Sequence, residues 1–442
     1  MKYLFILWLA GSMAAQGAEH TLRAGAARVD ITPPADAALV MGGYGGRTQG
    51  FKAIHDHIYA RAIVLEDGVT TAAIVAWELL FVPDAVWTDV SERAARDLGI
   101  RPENLLLAAV HNHGAPSVGP SSSGPTPPGT AEYTKKVEDG ALEAIRQAKA
   151  RLQPARLGMG TGKAYLNINR RELTPAQGWW LGYNENGPSD KTVTVLRFED
   201  LRGKPIAFVI NYAVHVVVMG PDNYQVTGDL AGATSRFVEE HYQGKDKPRP
   251  DAGPRVRLRP EERSADDGPV ALWTSGAAGD QNPVSMASGD NFGLADAMGK
   301  MLGEEAVRIA GAIKTSGEAR LWGAQQVVTC PGRTVEPGPR PRLDYKFTDS
   351  DPVKIRLTLL MAGDIALAGV SGEVFTLIGQ RLQRESHFPH TIMVTHADGS
   401  SGYIPNDAAF GQISYEISSS HLKAGCAEDA IVNGLLGMMK RY

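Results

Sequence analysis

Short apolar runs alternate with segments of helical periodicity along most of the chain. Continuous apolar runs bounded by turn residues are typical of buried strands, whereas apolar residues three and four apart indicate amphipathic helices. The predicted strands are AIVLE (62–66), TAAIVAWELL (71–80), NLLLAAV (104–110), IAFVINYAVHVVV (206–218), VALWTSG (270–276), IRLTLLMAG (355–363), IALAGVSG (365–372) and TIMVTHADG (391–399). The predicted helices span about 131–152, 229–242, 292–313, 374–385 and 424–440. This alternation predicts an α/β protein in which mixed β-sheets are layered with helices.

Two stretches interrupt this pattern. PSVGPSSSGPTPPGT (116–130) is rich in Pro, Gly and Ser, and residues 242–269 are charged and rich in Pro. Both compositions indicate irregular loops, and the second predicts a surface insertion rather than a linker between domains. No internal repeat is visible, so we expect one large domain over residues 18–442.

The amino terminus has the pattern of a secretory signal peptide. Lys2 precedes an apolar run from Tyr3 to Ala10, and small residues lead to the cleavage-site pattern Ala15-Gln16-Gly17. The apolar core is too short for a membrane span. We therefore expect residues 1–17 to be removed, leaving a soluble, secreted or periplasmic protein without a transmembrane segment.

Composition narrows the class of partner. Hydrophobic residues make up 43% and charged residues 21% of the chain, as in ordinary globular proteins. The net charge of −4 and the absence of a basic stripe argue against nucleic acid as a partner. Cys330 and Cys426 are the two cysteines, and neither lies in a CxxC pair that would suggest a thiolate zinc site. In an oxidising compartment they are candidates for a disulfide, although the sequence leaves open whether they meet.

Histidines lie at the end of one predicted strand and inside another. LLLAAVHNHGAPS (105–117) places His111 and His113 at a strand end, and His215 lies within an apolar run. Side chains two residues apart in extended chain share a face, so the rings of His111 and His113 are expected to face the same way. The structural alternatives are a surface or capping pair and a hydrogen-bonded interior histidine.

Other strand ends carry further polar groups. SGAAGDQNP (275–283) presents Asp280 and Asn282, Glu373 lies between a strand and a helix, and Tyr403 lies in a glycine-serine turn. In α/β folds such loops converge on one cleft. Two imidazoles and a carboxylate suit zinc, with a phenol oxygen as an extra ligand and water in an open position. Taken singly, Glu373 also fits a helix N-terminal carboxylate and Tyr403 a loop aromatic. Together these residues favour a zinc hydrolase.

The motifs resemble those of the neutral ceramidases, secreted zinc amidases that cleave the N-acyl bond of ceramide. The resemblance covers about residues 24–440 and keeps the order and approximate spacing of the motifs. HNHGAP stands where the family has His-Thr-His-Ser-Gly-Pro, and NINRRE where it has Asn-x-Asn-Arg. The other motifs are AGAARVDITPP, NYAVHVVV, GDQNP, GVSGEVFT, SGYIPND and SYEISSS.

This resemblance implies a fold and a set of roles. It implies a neutral-ceramidase-like catalytic domain with one zinc ion per chain, held by His111, His215, Glu373 and Tyr403. His113 is implied to face the scissile bond and to carry a proton from water to the leaving amine. Arg170 and Tyr415 are implied to interact with the amide carbonyl, which the metal polarises.

The chain departs from the family in two places. The family motif GDVSPN contains a serine essential for ceramide cleavage, whereas GDQNPV has Asn282 at that position. An amide orients water or hydrogen-bonds an oxyanion but cannot act as a nucleophile, so Asp280 and Asn282 are catalytic candidates of altered chemistry. Ceramidases also continue into a carboxy-terminal immunoglobulin-like domain, which we do not expect here because this sequence stops where that domain would begin.

Three functions remain open at this point. The first is a zinc-dependent amidohydrolase acting on a small-molecule or lipid-like amide that is not necessarily ceramide. The second is a zinc esterase, lactonase or deacetylase on a small polar or sugar substrate, for which Trp179 and Trp180 would supply stacking surfaces. The third is a non-catalytic lipid- or glycan-binding protein. The four zinc-ligand positions argue against this third function.

Overall fold

The computed structural model describes residues 21–120, 125–244 and 268–442. The predicted signal peptide and most of the predicted insertion at 242–269 lie outside the described residues. The strands are β1 (Arg23–Asp30), β2 (Ala53–Ile54), β3 (Tyr59–Glu66), β4 (Thr71–Trp77), β5 (Leu105–Ala109), β6 (Gln153–Lys163), β7 (Asn167–Thr174), β8 (Gly178–Asn184), β9 (Thr192–Asp200), β10 (Pro205–Tyr212), β11 (Gln225–Val226), β12 (Val270–Ser275), β13 (Gln281–Pro283), β14 (Leu321–Val335), β15 (Phe347–Ala362), β16 (Ile365–Val370), β17 (Glu373–Val374), β18 (His390–Val394) and β19 (Tyr403–Ile404). The helices are α1 (Asp84–Leu98), α2 (Thr130–Ala150), α3 (Asp229–Tyr242), α4 (Phe292–Ala312), α5 (Thr376–Glu385), α6 (Tyr415–Ser419) and α7 (Ala427–Met439).

An eight-stranded mixed sheet forms the larger part of the frame, in the order β12-β10-β9-β6-β1-β3-β4-β5. Its halves join at β1 and β6, where only Arg23 and Ala24 are paired, and β12 contacts β3 and β4. Alternate residues of β3 divide between two apolar clusters. Ala62 and Val64 pack with α1 and α2, whereas Ile63 and Leu65 face the other side. The sheet is therefore buried on both faces, as its apolar strands indicate.

A four-stranded sheet, β14-β15-β16-β18, completes the frame. Its apolar residues pack against α5 and α7 on one side, where Leu357 and Leu359 join Ile378 and Leu435. On the other side Leu360 joins the cluster of the large sheet. The predicted fold class, mixed sheets layered with helices, is confirmed.

Several strands end earlier than predicted. The strand predicted over 206–218 stops at Tyr212, where its pairing with β12 ends, and the strand predicted over 391–399 stops at Val394. Residues beyond these ends stay buried although they have left the ladder, as Val214, Val216 and Ala397 illustrate. A run of apolar residues indicates that the residues are buried, but it does not show that their backbone is paired in a sheet. The chain therefore runs through the interior after the strands end.

Smaller pairings bring further loops to the same end of the molecule. β13, β7 and β8 form a three-stranded sheet, while β17 and β19 pair in parallel and place Glu373 beside Tyr403. The described residues between Pro116 and α2 contain no helix or strand, in agreement with the predicted loop. Cys330 of β14 and Cys426, just before α7, form a disulfide. Among the described residues, no helix is both long enough and apolar enough to cross a bilayer.

Asp398 joins the two large sheets. Its Oδ1 accepts a hydrogen bond from the backbone N–H of Leu107 in β5 at 2.8 Å, and its Oδ2 accepts one from Thr358 Oγ1 in β15 at 2.5 Å. The residue has a left-handed backbone, with φ of 61°. Burial raises the pKa of the Asp398 carboxyl from its usual 3.8 to about 7, with the Thr358 hydrogen bond opposing the shift. The folded protein therefore holds a proton here that the unfolded chain releases.

We expect Asp398 to make stability fall as pH rises from about 4 to about 7. Below this window both states are protonated. Within it the unfolded chain ionises first, at roughly 1.4 kcal/mol for each unit between the two pKa values. Asp398→Asn removes the ionisation and keeps a side chain that tolerates positive φ. Urea unfolding at pH 5 and pH 7, with a chelator present, should show a smaller pH dependence for this variant. Asp349→Asn, at a carboxylate that is 86% exposed, is the control, and equal pH dependence in wild type and Asp398→Asn would contradict the prediction.

Candidate metal centre and active site

The chain turns sharply where it leaves β5. His111 has φ of 64°, a left-handed conformation that costs about 1 kcal/mol for a residue other than glycine. Asn112 supports the turn because its Nδ2 donates to the carbonyls of Glu78 and Thr227, while its Oδ1 accepts from the N–H of Gly114. The extended conformation predicted for this segment is wrong. The turn, rather than strand alternation, brings His113 Nε2 to 3.4 Å from His111 Nε2.

Three side-chain atoms from separate loops converge beside this turn. Glu373 Oε2 lies 3.4 Å from His111 Nε2 and 3.3 Å from His215 Nε2. His215 lies in the segment after β10, where its N–H donates to the carbonyl of Gln281. Glu373 follows β16, so both sheets contribute to the cluster.

Backbone carbonyls determine which nitrogen of each histidine carries a proton. His111 Nδ1 lies 3.0 Å from the carbonyl oxygen of Leu80, and His215 Nδ1 lies 2.8 Å from that of Ala278. A carbonyl only accepts, so each Nδ1 donates, and when the ring is neutral its Nε2 presents a lone pair. His215 Nε2 and Glu373 Oε2 are both buried and have no hydrogen-bond partner among the described residues. Lone pairs that face one another in this way fit a bound cation, and imidazole with carboxylate fits zinc.

His113 differs from the other two histidines. Ligand atoms of His111, His113 and His215 all lie within 4.8 Å of one another, so His113 belongs to the same cluster. Its Nδ1, however, is buried without a partner among the described residues. Histidines that bind metal usually donate the other ring N–H to a carboxylate, a carbonyl or water. His113 therefore lies next to the atoms that could bind a metal ion, but its surroundings are not those of a typical metal-binding histidine.

Burial and nearby charges shift the pKa values of the cluster toward the protonation states that suit cation binding. Burial lowers the pKa of His215 to about 3 and that of His113 well below its usual value, with nearby charges adding to the effect. Burial alone would raise the pKa of Glu373, but His111 and His215 hold it well below its usual range. The two shifted imidazoles are thus neutral and the carboxylate ionised.

Arg170 of β7 organises the neighbouring side of the cluster. Its buried guanidinium donates to Glu416 Oε1 at 2.6 Å, to Tyr403 OH at 2.9 Å and to Asn282 Oδ1 at 3.2 Å. Because arginine only donates, Asn282 must turn its oxygen toward Arg170 and its NH2 away. Burial raises the pKa of Tyr403 well above its usual value, although Arg170 opposes the shift. The structure thus brings the predicted residues Arg170, Asn282 and Tyr403 together.

Asp280 lies within a saturated hydrogen-bond network. Its Oδ1 accepts from the N–H and the hydroxyl of Thr376 and from Gln281, and its Oδ2 accepts from Asn169. Its backbone carbonyl accepts from the N–H of Arg170 at 2.9 Å. Donors from the protein occupy both carboxylate oxygens, so the geometry favours a positioning role for this predicted catalytic residue.

Aromatic rings continue from Tyr403 toward the hairpin of β7 and β8. The rings of Tyr403 and Tyr415 meet edge-on at 5.8 Å, and those of Tyr415 and Trp180 at 5.7 Å. Trp179 lies instead beside Arg171, whose guanidinium carbon is 5.8 Å from the centroid of the Trp179 ring. Tyr415 is therefore next to Tyr403, as predicted, and Trp180 is the member of the tryptophan pair on the site side.

Two residues near the cluster were missed from the sequence. The ring of His396 stacks on that of His111, with centroids 4.0 Å apart and planes at 13°, and its φ is 54°. The ring of Tyr44 lies edge-on to His113 at 4.8 Å. The signals were a histidine following an apolar strand in THADG and an aromatic residue between glycine pairs in GGYGGR.

Comparisons with known proteins place these observations in a family. The family model described as neutral/alkaline non-lysosomal ceramidase, N-terminal, matches residues 22–298. The chain is 31% identical over 246 residues to the neutral ceramidase of Pseudomonas aeruginosa, covering 54% of this chain and 36% of that protein. It is 28% identical over 249 residues to the neutral ceramidase of Mycobacterium tuberculosis, covering 51% and 37%.

Solved structures agree with this assignment at the level of the fold. The crystal structure of the Pseudomonas aeruginosa neutral ceramidase aligns with a TM-score of 0.72 at 19% identity, covering 96% of this chain and 75% of that one. A structure of a ceramidase complexed with C2 gives a TM-score of 0.73 at 19% identity, covering 96% and 76%. The chain belongs to the neutral/alkaline non-lysosomal ceramidase family, which confirms the resemblance of the motifs. The aligned sequence spans about a third of the length of the curated relatives.

Proposed function

We propose that this protein is a zinc-dependent amidohydrolase that cleaves an N-acyl bond in a small or lipid-like amide. The observation that supports this proposal is the convergence of lone pairs from His111 Nε2, His215 Nε2 and Glu373 Oε2 at 3.3–3.4 Å. The Nδ1 atoms of His111 and His215 donate hydrogen bonds to backbone carbonyls, as is usual for zinc-binding histidines. Family membership over residues 22–298 supports the same reading.

We propose His111, His215, Glu373 and Tyr403 as the residues that hold the ion. Zinc bound there would polarise the amide carbonyl and lower the pKa of a water molecule. The hydroxyl of Tyr403 accepts a hydrogen bond from Arg170, whose positive charge opposes the effect of burial and favours the phenolate form that would bind a metal ion.

His113 is proposed to move the proton. Burial keeps the ring neutral, so it can accept a proton from the attacking water and return it to the leaving amine. Its Nε2 faces the metal ligands, 3.4 Å from His111 Nε2. The lack of a hydrogen-bond acceptor at its Nδ1 among the described residues supports this role over metal binding.

Arg170, Tyr415 and Asn282 are proposed to stabilise negative charge on the carbonyl oxygen. Arg170 carries a permanent positive charge in a buried position, where electrostatic stabilisation is strongest. Asn282 presents its NH2 group because its oxygen faces Arg170. Asp280 is proposed to position Arg170 and the start of α5 rather than to contact substrate.

We further propose one catalytic domain over residues 18–442, and export to a secreted or periplasmic location. The proposed ligands His111 and His215 follow β5 and β10, and Glu373 begins β17 after β16, so both large sheets contribute to the site, which supports a single domain. The signal-peptide pattern and the Cys330–Cys426 disulfide support an oxidising compartment.

Metal content tests the ligand assignment. Purified wild-type protein should contain about one equivalent of zinc, as expected of a mononuclear site, and His111→Ala should lose nearly all of it. His390→Ala is the matched control, because His390 is a partly exposed histidine paired with Asp364. Elemental analysis of the three proteins measures the difference. Full zinc content in folded His111→Ala would remove His111 from the ligand set.

A second variant separates proton transfer from metal binding. We expect His113→Ala to retain its zinc and to lose about 10²-fold or more in kcat, the usual scale for general acid–base catalysis. Rates at a fixed zinc concentration, together with zinc content, provide the measurement. If His113→Ala loses the ion and excess zinc restores activity, His113 is instead a ligand.

Asn282 sets the expectation for substrate. Without a hydroxyl at this position, we expect weak or no hydrolysis of long-chain ceramide and faster hydrolysis of a smaller or more polar amide. Zinc-loaded protein should be assayed on paired amides and esters of increasing acyl length, with ceramide included and Glu373→Ala as the inactive control. Asn282→Ser is the matched variant and should improve ceramide hydrolysis. Vigorous wild-type hydrolysis of ceramide, abolished in Glu373→Ala, would show that this interpretation of Asn282 is wrong.

A further inference from the structure

A glycine-rich loop, Gly42–Arg47 with the sequence GGYGGR, lies against His113. Arg47 anchors it, because its buried guanidinium donates to the carbonyls of Gly42, His113 and Asn223. The loop is thereby tied to the backbone of His113 itself. It is a fixed neighbour of the metal centre.

Gly43 allows the loop to approach His113 closely. It has φ of 90°, and a Cβ atom added there would lie 2.1 Å from His113 Nδ1. No side chain fits in that distance, and a left-handed backbone favours glycine. The backbone of the loop therefore covers the Nδ1 side of the His113 ring, and Tyr44 follows directly.

Tyr44 carries a polar group that the protein leaves unused. Its ring lies edge-on to His113 at 4.8 Å, and the guanidinium of Arg47 lies 4.7 Å from its centroid. Its hydroxyl is buried and has no hydrogen-bond partner among the described residues. Buried hydroxyls are nearly always paired, so an unpaired one beside a reaction centre calls for a ligand.

The hydroxyl of Tyr44 stays protonated. Burial raises the pKa of Tyr44 well above its usual value and Asp229 adds to the shift, whereas Arg47 and Arg170 oppose it. A protonated phenol donates a hydrogen bond, and none of the described residues supplies an acceptor for it. The acceptor must come from a molecule that enters the site.

We propose that the Tyr44 hydroxyl donates a hydrogen bond to an oxygen atom of the bound substrate, on the His113 side of the metal centre. The glycine-rich loop then forms a polar subsite for an oxygen next to the scissile bond. This assignment rests on the proposed amide hydrolase function and adds to it one substrate-contacting residue. The close approach at Gly43 fixes the donor in place before substrate binds, which lowers the entropic cost of binding.

The test compares Tyr44→Phe with Tyr133→Phe. Tyr133 of α2 also has a buried hydroxyl without a partner among the described residues, but it lies in the apolar cluster under α1 and α2. Each substitution removes one oxygen and leaves the ring. We expect both variants to retain zinc and to unfold in urea at the same or a slightly higher midpoint, because neither loses a hydrogen bond within the protein.

The decisive readout is binding rather than turnover. Octanohydroxamic acid, whose oxygens combine a zinc-binding group with a hydrogen-bond acceptor, is titrated calorimetrically into the three zinc-loaded proteins. Wild type and Tyr133→Phe should bind equally, and Tyr44→Phe about tenfold more weakly. Amide hydrolysis, measured alongside, should fall in Tyr44→Phe by a similar or larger factor.

Four results would overturn the proposal. Three are equal hydroxamate affinity in wild type and Tyr44→Phe, a clearly lower unfolding midpoint for Tyr44→Phe, and no hydroxamate binding by wild type; the fourth is undiminished amide hydrolysis in Tyr44→Phe. A tenfold loss of affinity in a protein that hydrolyses no amide would keep the subsite and remove the proposed reaction. Amide hydrolysis that is undiminished in Tyr44→Phe would keep the reaction and remove the subsite.

Discussion

The structure depends on one arrangement of lone pairs. Glu373 Oε2 faces His111 Nε2 and His215 Nε2 at 3.3–3.4 Å, and the carbonyls of Leu80 and Ala278 hold the histidine protons on the far side of each ring. When both rings are neutral in this tautomer, no proton lies between the three atoms. The arrangement is unfavourable when empty and favourable around a cation. A buried cluster of this kind therefore fits the proposed binding of a cation and does not by itself stabilise the fold.

Holding these atoms together requires strained backbone, and the surrounding structure stabilises that strain. His111, His396 and Asp398 all have φ between 54° and 64°, a backbone conformation that residues other than glycine seldom adopt. Each is tied into the frame. Asn112 hydrogen-bonds three backbone groups around the first turn, while Asp398 links β5 to β15 and closes the second. Stacking of His396 on His111 then joins the two turns directly.

The sequence predicts the frame better than the paths between its parts. The bounds predicted for helix α3 agree with the structure at both ends, and the apolar strands are found because burial leaves a clear hydrophobic pattern. The same pattern misplaces the end of β10, since residues 213–218 are buried by the site loops rather than by a ladder. The positive φ of His111 leaves no trace in a hydrophobic pattern. Motif chemistry finds His111, His215 and Glu373, whereas Tyr44 and His396 depend on tertiary contacts that link distant segments.

Charge balance explains how a buried arginine is tolerated next to the proposed cation site. Arg170 alone would repel a metal ion, but Glu416, whose side chain is fully buried, accepts from its Nε at 2.6 Å and offsets its charge. With Glu373 ionised, His113, His215 and Tyr403 neutral, and Arg170 and Glu416 offsetting one another, these groups carry a net charge of −1. In the proposed function a divalent ion would bring this total to +1, which would complement one developing oxyanion in a site of low dielectric. Glu416 is thus as important to the electrostatics of the proposed metal site as the proposed ligands, because without it Arg170 and a bound cation would repel one another.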